Sequence, residues 1–306
     1  MWQKENKMKA YKYILIILSI VIVSCQKDIE IDVPDAEIKI VIEGAIESGQ
    51  YPYVIVTKNQ GYFDPVDTNS LAEMMVLDAI VTVYDGAIVD SLKIQPNFFT
   101  IPPYRYVGSK IIGQEGGTYK LKVEVDGKVY ESSTTIPKIV PLDSIKYTYQ
   151  SPNDTFGMLW AYGQDPPELG NFYRVYTKTF GKDYVFVHAD FSLGDDKLAN
   201  GQYIENGIIR GKDPARPPED YEMEDNEPPY WAFLRGETVA VKFCSMDVIS
   251  YDYWKTAEQQ ASNNGNPFAA PTTIKTNITG NALGVWTGYG VFLDTVTITD
   301  DIIIEF

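Results

Sequence analysis

Few side chains in this 306-residue chain could do covalent or acid–base chemistry, because it has two cysteines and one histidine. His188 lies inside the alternating segment DYVFVHADFS, and the chain has no G-x-S-x-G motif, so a hydrolase is disfavoured. Cys244 lies in TVAVKFCSMDV, a pattern that predicts a small core residue in a strand rather than a nucleophile. One histidine and one spare cysteine also exclude an ordinary zinc site. The sequence therefore predicts a non-catalytic protein without a metal or other cofactor.

Cys25 is different, because its surroundings predict a covalent modification. The apolar run from Tyr13 to Val23 is too short to cross a bilayer and is typical of a secretory signal peptide. The junction Ser24-Cys25 resembles a bacterial lipobox, so we expect residues 1–24 to be removed and Cys25 to carry acyl chains. Such chains contribute about 0.8 kcal/mol per buried methylene, so two or three of them would anchor the protein permanently. A basic region precedes the apolar run: Lys4, Lys7, Lys9 and Lys12.

Two alternatives stay open for this segment. The alternative for Cys25 is a structural cysteine in a buried strand, and the alternative to a start at Met1 is a start at Met8, since the segment from Met8 is already a complete signal. The residues after Cys25, QKDIEID, resemble the export signal of Bacteroidota lipoproteins that face outward from the outer membrane. We therefore predict an acidic tether over residues 25–36 and a location on the cell exterior.

The charge balance limits the kinds of partner. Without residues 1–24 the 26 basic and 42 acidic residues become 22 and 41, a net charge of −19 for the predicted mature chain. Such a surface repels phosphate backbones, so nucleic acid is excluded as a partner. The charge favours solubility and loosely held divalent cations.

Residues 37–140 are predicted to form an immunoglobulin-like or fibronectin-like β-sandwich. About seven short strands fit into this range, including the segment around Phe98 to Ile101. Two Asp-Gly pairs, Asp85-Gly86 and Asp126-Gly127, supply the positive backbone dihedrals of two-residue hairpins. Pro137 and Pro141 resist strand pairing, which places a domain boundary near residue 140.

Residues 141–306 are predicted to form a larger antiparallel β domain rich in aromatic residues, so the fold class is mainly β. One helix is predicted near 250–263, with Ser250 as its cap and Asn264-Gly265 at its end. The later segment from Asn266 to Gly290 is rich in proline and glycine, which favours a loop that wraps the helix end and re-enters the sheet. Trp286 and Tyr289 within it are either structural or an aromatic ligand platform.

An acidic, proline-bracketed segment extends from Pro214 to Pro229 and is followed by Tyr230 and Trp231. It is either a solvated connection or a loop that docks on a basic partner. Six acids so close together repel one another, which favours projection into solvent. We expect contact through Glu222, Glu224 and Asp225 outside and through the two aromatic residues at the base. The six acids are Glu219, Asp220, Glu222, Glu224, Asp225 and Glu227.

Four segments carry a resemblance to a known family. They are the lipobox with KDIEIDVPDAEIKIVIEGAIESGQYPYVIVTKNQGYFDP, then YGQDPPELGNFYRVY, SYDYW, and NPFAAPTTIKTNITGNALGVWTGYG. Together they are similar to the Bacteroidota lipoproteins known as domain of unknown function 4249 (DUF4249). The resemblance implies an outer-membrane lipoprotein of mostly β structure, often found beside a TonB-dependent receptor.

Two functions follow as hypotheses. The first, which rests on the resemblance, is a surface-exposed accessory subunit of a TonB-dependent β-barrel receptor that helps to capture cargo. The alternative is a free-standing surface module that binds glycan or peptide through Trp231, Trp286 and Tyr289.

Overall fold

The computed structural model describes residues 37–60, 68–150, 155–213, 216, 221–222, 228–262 and 272–303. The predicted signal peptide, Cys25 and the tether lie outside the described residues, as does the predicted helix end at Asn264-Gly265. The described part is mainly antiparallel β structure with a short helix, which confirms the predicted class. No described helix is both long and apolar enough to span a membrane.

The described elements follow one another along the chain as sixteen strands, two α-helices and a 3₁₀ turn. The helices are α1 (Thr68–Met74) and α2 (Val248–Ser262), and the 3₁₀ turn is Asp300–Ile302. The strands are β1 (Ile40–Glu47), β2 (Tyr53–Lys58), β3 (Ile80–Tyr84), β4 (Val89–Ser91), β5 (Lys93–Pro96), β6 (Tyr104–Val107), β7 (Thr118–Val125), β8 (Lys128–Thr135), β9 (Ser144–Tyr149), β10 (Phe156–Gln164), β11 (Phe172–Thr179), β12 (Val187–Asp195), β13 (Tyr203–Ile208), β14 (Phe233–Leu234), β15 (Thr238–Met246) and β16 (Leu283–Thr297).

An eight-stranded sheet organises the molecule, in the order β12-β11-β15-β16-β1-β2-β6-β5. The long strand β16 is antiparallel to β15 and parallel to β1, from Val41 opposite Leu283 to Glu47 opposite Tyr289. Strands from both sides of residue 140 therefore share one sheet, and the chain from Glu37 onward forms one compact unit. The domain boundary near residue 140 stays a prediction.

Two four-stranded sheets complete the fold, β4-β3-β7-β8 and β13-β10-β14 with β9 beside β10. The first packs against β1, β2 and β16 through a core that includes Ile42, Val123 and Trp286. The second packs against β11, β15 and β16 through a core that includes Tyr147 and Phe243. Both cores lie on one face of the central sheet, because side chains alternate along each strand. The arrangement is sandwich-like, whereas the immunoglobulin-like topology remains a prediction.

The two hairpin predictions have different outcomes. Asp126 and Gly127 have φ values of 49° and 75° and form the two-residue loop between β7 and β8, as predicted. In the β3–β4 hairpin the Asp85 amide instead donates to the Ile88 carbonyl, so the loop residues are Gly86 and Ala87. The Asp85 carboxylate accepts from the Ala87 and Ile88 amides. Those backbone hydrogen bonds hold the pKa of Asp85 below its usual value.

Helix α2 is close to its predicted range, but its cap is not. It begins at Val248, and the Asp247 carboxylate accepts a hydrogen bond of 2.7 Å from the Ser250 amide. Asp247 is therefore the N-cap, and the prediction of Ser250 was wrong because Ser250 already lies inside the first turn.

The glycine-rich segment near the C-terminus enters the central sheet at Leu283 as β16, whereas residues 272–282 before it form no strand. The predicted loop therefore ends before Leu283, and its start lies outside the described residues. The glycines serve close packing within β16. A Cβ at Gly288 would lie 2.7 Å from the Thr135 carbonyl oxygen, and one at Gly290 would lie 2.5 Å from that of Pro137. The chain after β8 can therefore cross directly over β16.

Candidate functional site

The structure places the predicted contact residues in three different environments. Glu222 is exposed, and Tyr230 and Trp231 are half-buried. Trp286 and Tyr289 are 0% and 3% exposed, so in this structure neither ring can meet a ligand or partner at the surface. The remaining predicted contacts, Glu224 and Asp225, lie outside the described residues, as does the lipidation site Cys25.

Trp286 is a core residue because β16 runs through the middle of the central sheet. Its indole N–H donates 3.0 Å to the Tyr119 carbonyl on β7, and its ring fills the first core. A buried tryptophan needs such a partner for its N–H group. Trp286 and Tyr289 therefore do not form the predicted aromatic platform at the surface. Trp286 instead packs in the core between the central sheet and the β4-β3-β7-β8 sheet.

Tyr230 and Trp231 stabilise the chain at the base of the acidic segment. The Tyr230 ring meets the Tyr221 ring edge to face at 5.5 Å, and the Lys212 ammonium lies 4.6 Å from the Tyr230 centroid. The Trp231 ring meets Phe156 at 6.1 Å. These contacts use ring surface that the sequence interpretation assigned to a partner, so both rings are partly occupied by contacts within the chain.

A buried ion pair joins the chain after β13 to the loop that follows β11. The Arg210 guanidinium contacts the Asp183 carboxylate, with 3.1 Å between Nε and Oδ1. Asp183 also accepts 2.6 Å from the Thr179 amide at the end of β11. The Tyr184 amide donates 2.9 Å to Asp213, the residue immediately before the acidic segment. The loop from β11 to β12 is thereby tied to the start of that segment.

Four large apolar side chains are exposed next to this loop. Phe98, Phe99, Ile101 and Tyr184 are 79%, 51%, 60% and 53% exposed. The Phe99 and Tyr184 rings stack at 5.2 Å with an interplanar angle of 23°, which joins the β5–β6 loop to the β11–β12 loop. We call these four residues the Phe99 patch. Because the Tyr184 amide is hydrogen-bonded to the Asp213 carboxylate, the patch lies beside the point where the acidic segment begins.

The sequence interpretation missed the Phe99 patch because it assigned Phe98 to Ile101 to a strand. In the structure β5 ends at Pro96 and β6 begins at Tyr104, so these residues form the connecting loop. The signal was present in NFFTIPPY, since Pro102 and Pro103 cannot donate to a sheet ladder. Two adjacent phenylalanines before a proline pair could have indicated an exposed apolar loop.

The opposite face of the central sheet, away from the two cores, is partly covered by α2. The Trp254 indole of α2 donates 2.9 Å to the Tyr289 hydroxyl, which lies 3.3 Å from the Tyr176 hydroxyl. Burial raises the pKa of Tyr289 well above the ordinary tyrosine value, and the neighbouring Tyr176 acts in the same direction. Both hydroxyls therefore stay protonated at physiological pH.

Two cation–carboxylate pairs lie on this α2-covered face. Lys242 Nζ is 2.7 Å from Glu47, and Arg174 Nη2 is 2.9 Å from Glu258 of α2. Burial disfavours the charged Lys242, but Glu47 and its neighbours raise the pKa of Lys242 overall. Both cations therefore remain charged at neutral pH.

Cys244 and His188 also lie on or near this face. Burial raises the pKa of the Cys244 thiol to about 12, so it is not a thiolate at neutral pH. His188 is exposed at its side chain, and its Nδ1 lies 3.9 Å from Glu258. Within the described ranges no three His, Cys, Asp or Glu side chains converge as metal ligands.

Taken together, the described chain is a three-sheet β protein with an exposed apolar patch and a charged, aromatic sheet face beneath a helix. Residues 26–293 match the family described as domain of unknown function (DUF4249), and the chain belongs to that family. A search of curated proteins found no match.

Proposed function

We propose that this protein is an outer-membrane lipoprotein, anchored by acyl chains on Cys25 and facing the cell exterior. In this proposal it is a non-catalytic accessory subunit of a TonB-dependent β-barrel receptor and helps it to capture cargo. Membership of the DUF4249 family supports the family part of the argument. The lipobox-like junction and the acidic tether support the location.

The Phe99 patch is the observation that carries the docking part of the proposal. Monomeric soluble proteins rarely leave several large apolar side chains exposed together, and such patches often mark protein interfaces. Aromatic residues also supply most of the binding energy in many interfaces. The acidic segment begins directly after Asp213, which is hydrogen-bonded to Tyr184 of the patch, and in this proposal its charge steers the encounter with the receptor.

A free-standing module that binds glycan or peptide remains the second candidate. The buried Trp286 and Tyr289 do not support it, and Trp231 is half-buried against Phe156. The exposed rings of Phe98 and Tyr184 favour it instead, because they offer apolar faces to a ligand.

Copurification tests docking against the free module. The tagged full-length lipoprotein is extracted from native membranes in several mild detergents, as wild type and as Phe98→Ser/Phe99→Ser. We expect a stoichiometric β-barrel protein with wild type and at least a tenfold loss with the double variant. Leu198→Ser is the matched control, because Leu198 is also an exposed apolar residue but lies outside the patch. Equal recovery with all three proteins, or no barrel in any detergent, would contradict docking through the patch.

The acidic segment is tested in the same preparation. Neutralising Glu222, Glu224 and Asp225 together is expected to weaken association at low salt. It should also flatten the salt dependence of association, because salt then has fewer charge–charge attractions to screen. The thermal midpoint should change by less than about 2 °C, since exposed substitutions usually change stability by less than about 0.5 kcal/mol. If the triple variant recovers the partner as well as wild type at low and high salt, the segment is only a solvated connection.

A further inference from the structure

Arg174 is the most unusual polar side chain on the α2-covered face. It lies on β11 with its side chain fully buried, and its guanidinium carbon is 3.9 Å from the centroid of the Trp254 ring. The Tyr176 ring is 5.3 Å away on another side. The guanidinium is therefore held among aromatic rings under the helix, where its hydrogen-bonding needs must be met without bulk water.

Those needs are only partly met within the described chain. Nη2 donates 2.9 Å to Glu258, whereas Nε and Nη1 are buried without a hydrogen-bond partner among the described residues. The hydroxyl of Thr287, on β16, is in the same situation. Buried polar atoms are nearly always paired, so unpartnered donors on a charged group point to a missing acceptor.

Glu43 is the complementary group on β1. Burial raises its pKa, and the positive charge of Arg174 acts in the opposite direction. No hydrogen bond joins them. Glu43 lies two residues before Ala45, which is paired with Thr287 of β16, so Glu43 and Thr287 share the sheet face that α2 covers.

The charges already present determine which ligand fits. Arg174 is paired with Glu258 and Lys242 with Glu47, and Glu43 adds a further acidic group. An anion would therefore add negative charge that nothing balances. A hydroxyl group suits the site better, because its oxygen accepts from a guanidinium while its O–H donates to a carboxyl group.

We propose that the site formed by Arg174, Glu43, Thr287 and Trp254 beneath α2 binds a neutral sugar. Sugar hydroxyl oxygens accept from Nε and Nη1 of Arg174, an O–H group donates to Glu43, and the Trp254 ring covers an apolar face of the sugar. The inference rests on the proposed function only in making a sugar the cargo. Its test uses the purified protein alone, so it can succeed or fail independently of receptor docking.

Entry requires the second half of α2 to move, since Arg174 is fully covered in the structure. The three buried residues of α2, Ser250, Tyr251 and Tyr253, lie in its first half. Trp254 and Glu258 are only half-buried. The contacts that close the site are the cation–π contact of Arg174 with Trp254, the hydrogen bond from Trp254 to Tyr289 and the Arg174–Glu258 ion pair, and the last two end on half-buried side chains of α2.

The test is tryptophan fluorescence of the full-length protein in a detergent without a sugar headgroup. It is titrated with glucose, galactose, N-acetylglucosamine and maltose, and separately with acetate and glycine. We expect a saturable change with at least one sugar and none with acetate or glycine. Arg174→Met and Glu43→Gln should each weaken sugar binding at least tenfold, and Trp254→Phe should remove most of the signal. Arg235→Met, at an exposed arginine, is the matched control.

Stability separates a binding role of Arg174 from a structural one. Arg174→Met/Glu258→Met replaces both members of the ion pair by apolar chains, so its thermal midpoint without sugar should equal or exceed that of wild type. A lower midpoint would assign Arg174 to the fold. Absence of a saturable response to every sugar, unchanged binding by Glu43→Gln, or competition by acetate would overturn the proposal. A crystal structure showing only water molecules on Nε and Nη1 at saturating sugar would do the same.

Discussion

At the scale of single residues, burial decides which side chains are chemically active. Cys244 is fully buried on β15, and burial raises its pKa to about 12, although the nearby charges of Lys242 and Arg174 act in the opposite direction. A thiol of this kind is protonated at neutral pH and hidden from solvent. The sequence interpretation of Cys244 as a core residue agrees with this environment.

The raised pKa of Cys244 predicts both its reactivity and its effect on stability. The unfolded thiol titrates near 9.0, below the folded value of about 12. Its contribution to the free energy of unfolding is therefore complete below pH 9 and is lost as the pH rises towards 12. At pH 8 a thiol-specific colorimetric reagent should label the native protein over hours and the denatured protein within minutes, with Cys244→Ser as control. Rapid labelling of the native protein would show that the site is open.

At the scale of secondary structure, local signals were enough for some elements and not for others. The dihedral requirement at Asp126-Gly127 and the helical spacing of Tyr253, Trp254 and Ala257 are local, so the sequence predicted a hairpin and a helix there. The glycines of β16 suggested a loop. They are needed because the chain after β8 packs closely against β16, and no local sequence pattern reveals that long-range contact. Contacts such as Arg174 with Glu258 depend on long-range register and could not be predicted.

The central position of β16 makes a prediction about the N-terminal half. Trp286 fills the first core and β1 bonds to β16 along seven register positions from Val41 to Glu47. Residues 37–140 expressed alone lack both, so we expect weak tertiary structure and a broad, non-cooperative thermal transition. Near-ultraviolet circular dichroism measures this, with residues 26–306 as control. A sharp transition of the fragment would show that the predicted boundary near residue 140 delimits an independent domain.

At the scale of the whole molecule, the net charge and the exposed apolar surface both favour docking on a partner protein. The chain has a net charge of −16, which opposes self-association and steers basic surfaces towards it. The Phe99 patch is tied through Tyr184 and Asp213 to the start of the most acidic segment. A partner with an apolar recess and a basic rim would fit both features. The sequence interpretation assigned the apolar contacts to Tyr230 and Trp231, which are half-buried, and to Trp286 and Tyr289, which are buried.

Site-specific photocrosslinking on intact cells tests docking through the Phe99 patch most directly. A photoreactive amino acid replaces Phe99 in the full-length lipoprotein, and the same amino acid at the exposed Leu198 serves as control. The account predicts a crosslink from position 99 to a TonB-dependent β-barrel protein, weakened at high salt, and little or none from position 198. No barrel crosslink from position 99, or equal crosslinks from both positions, would contradict it.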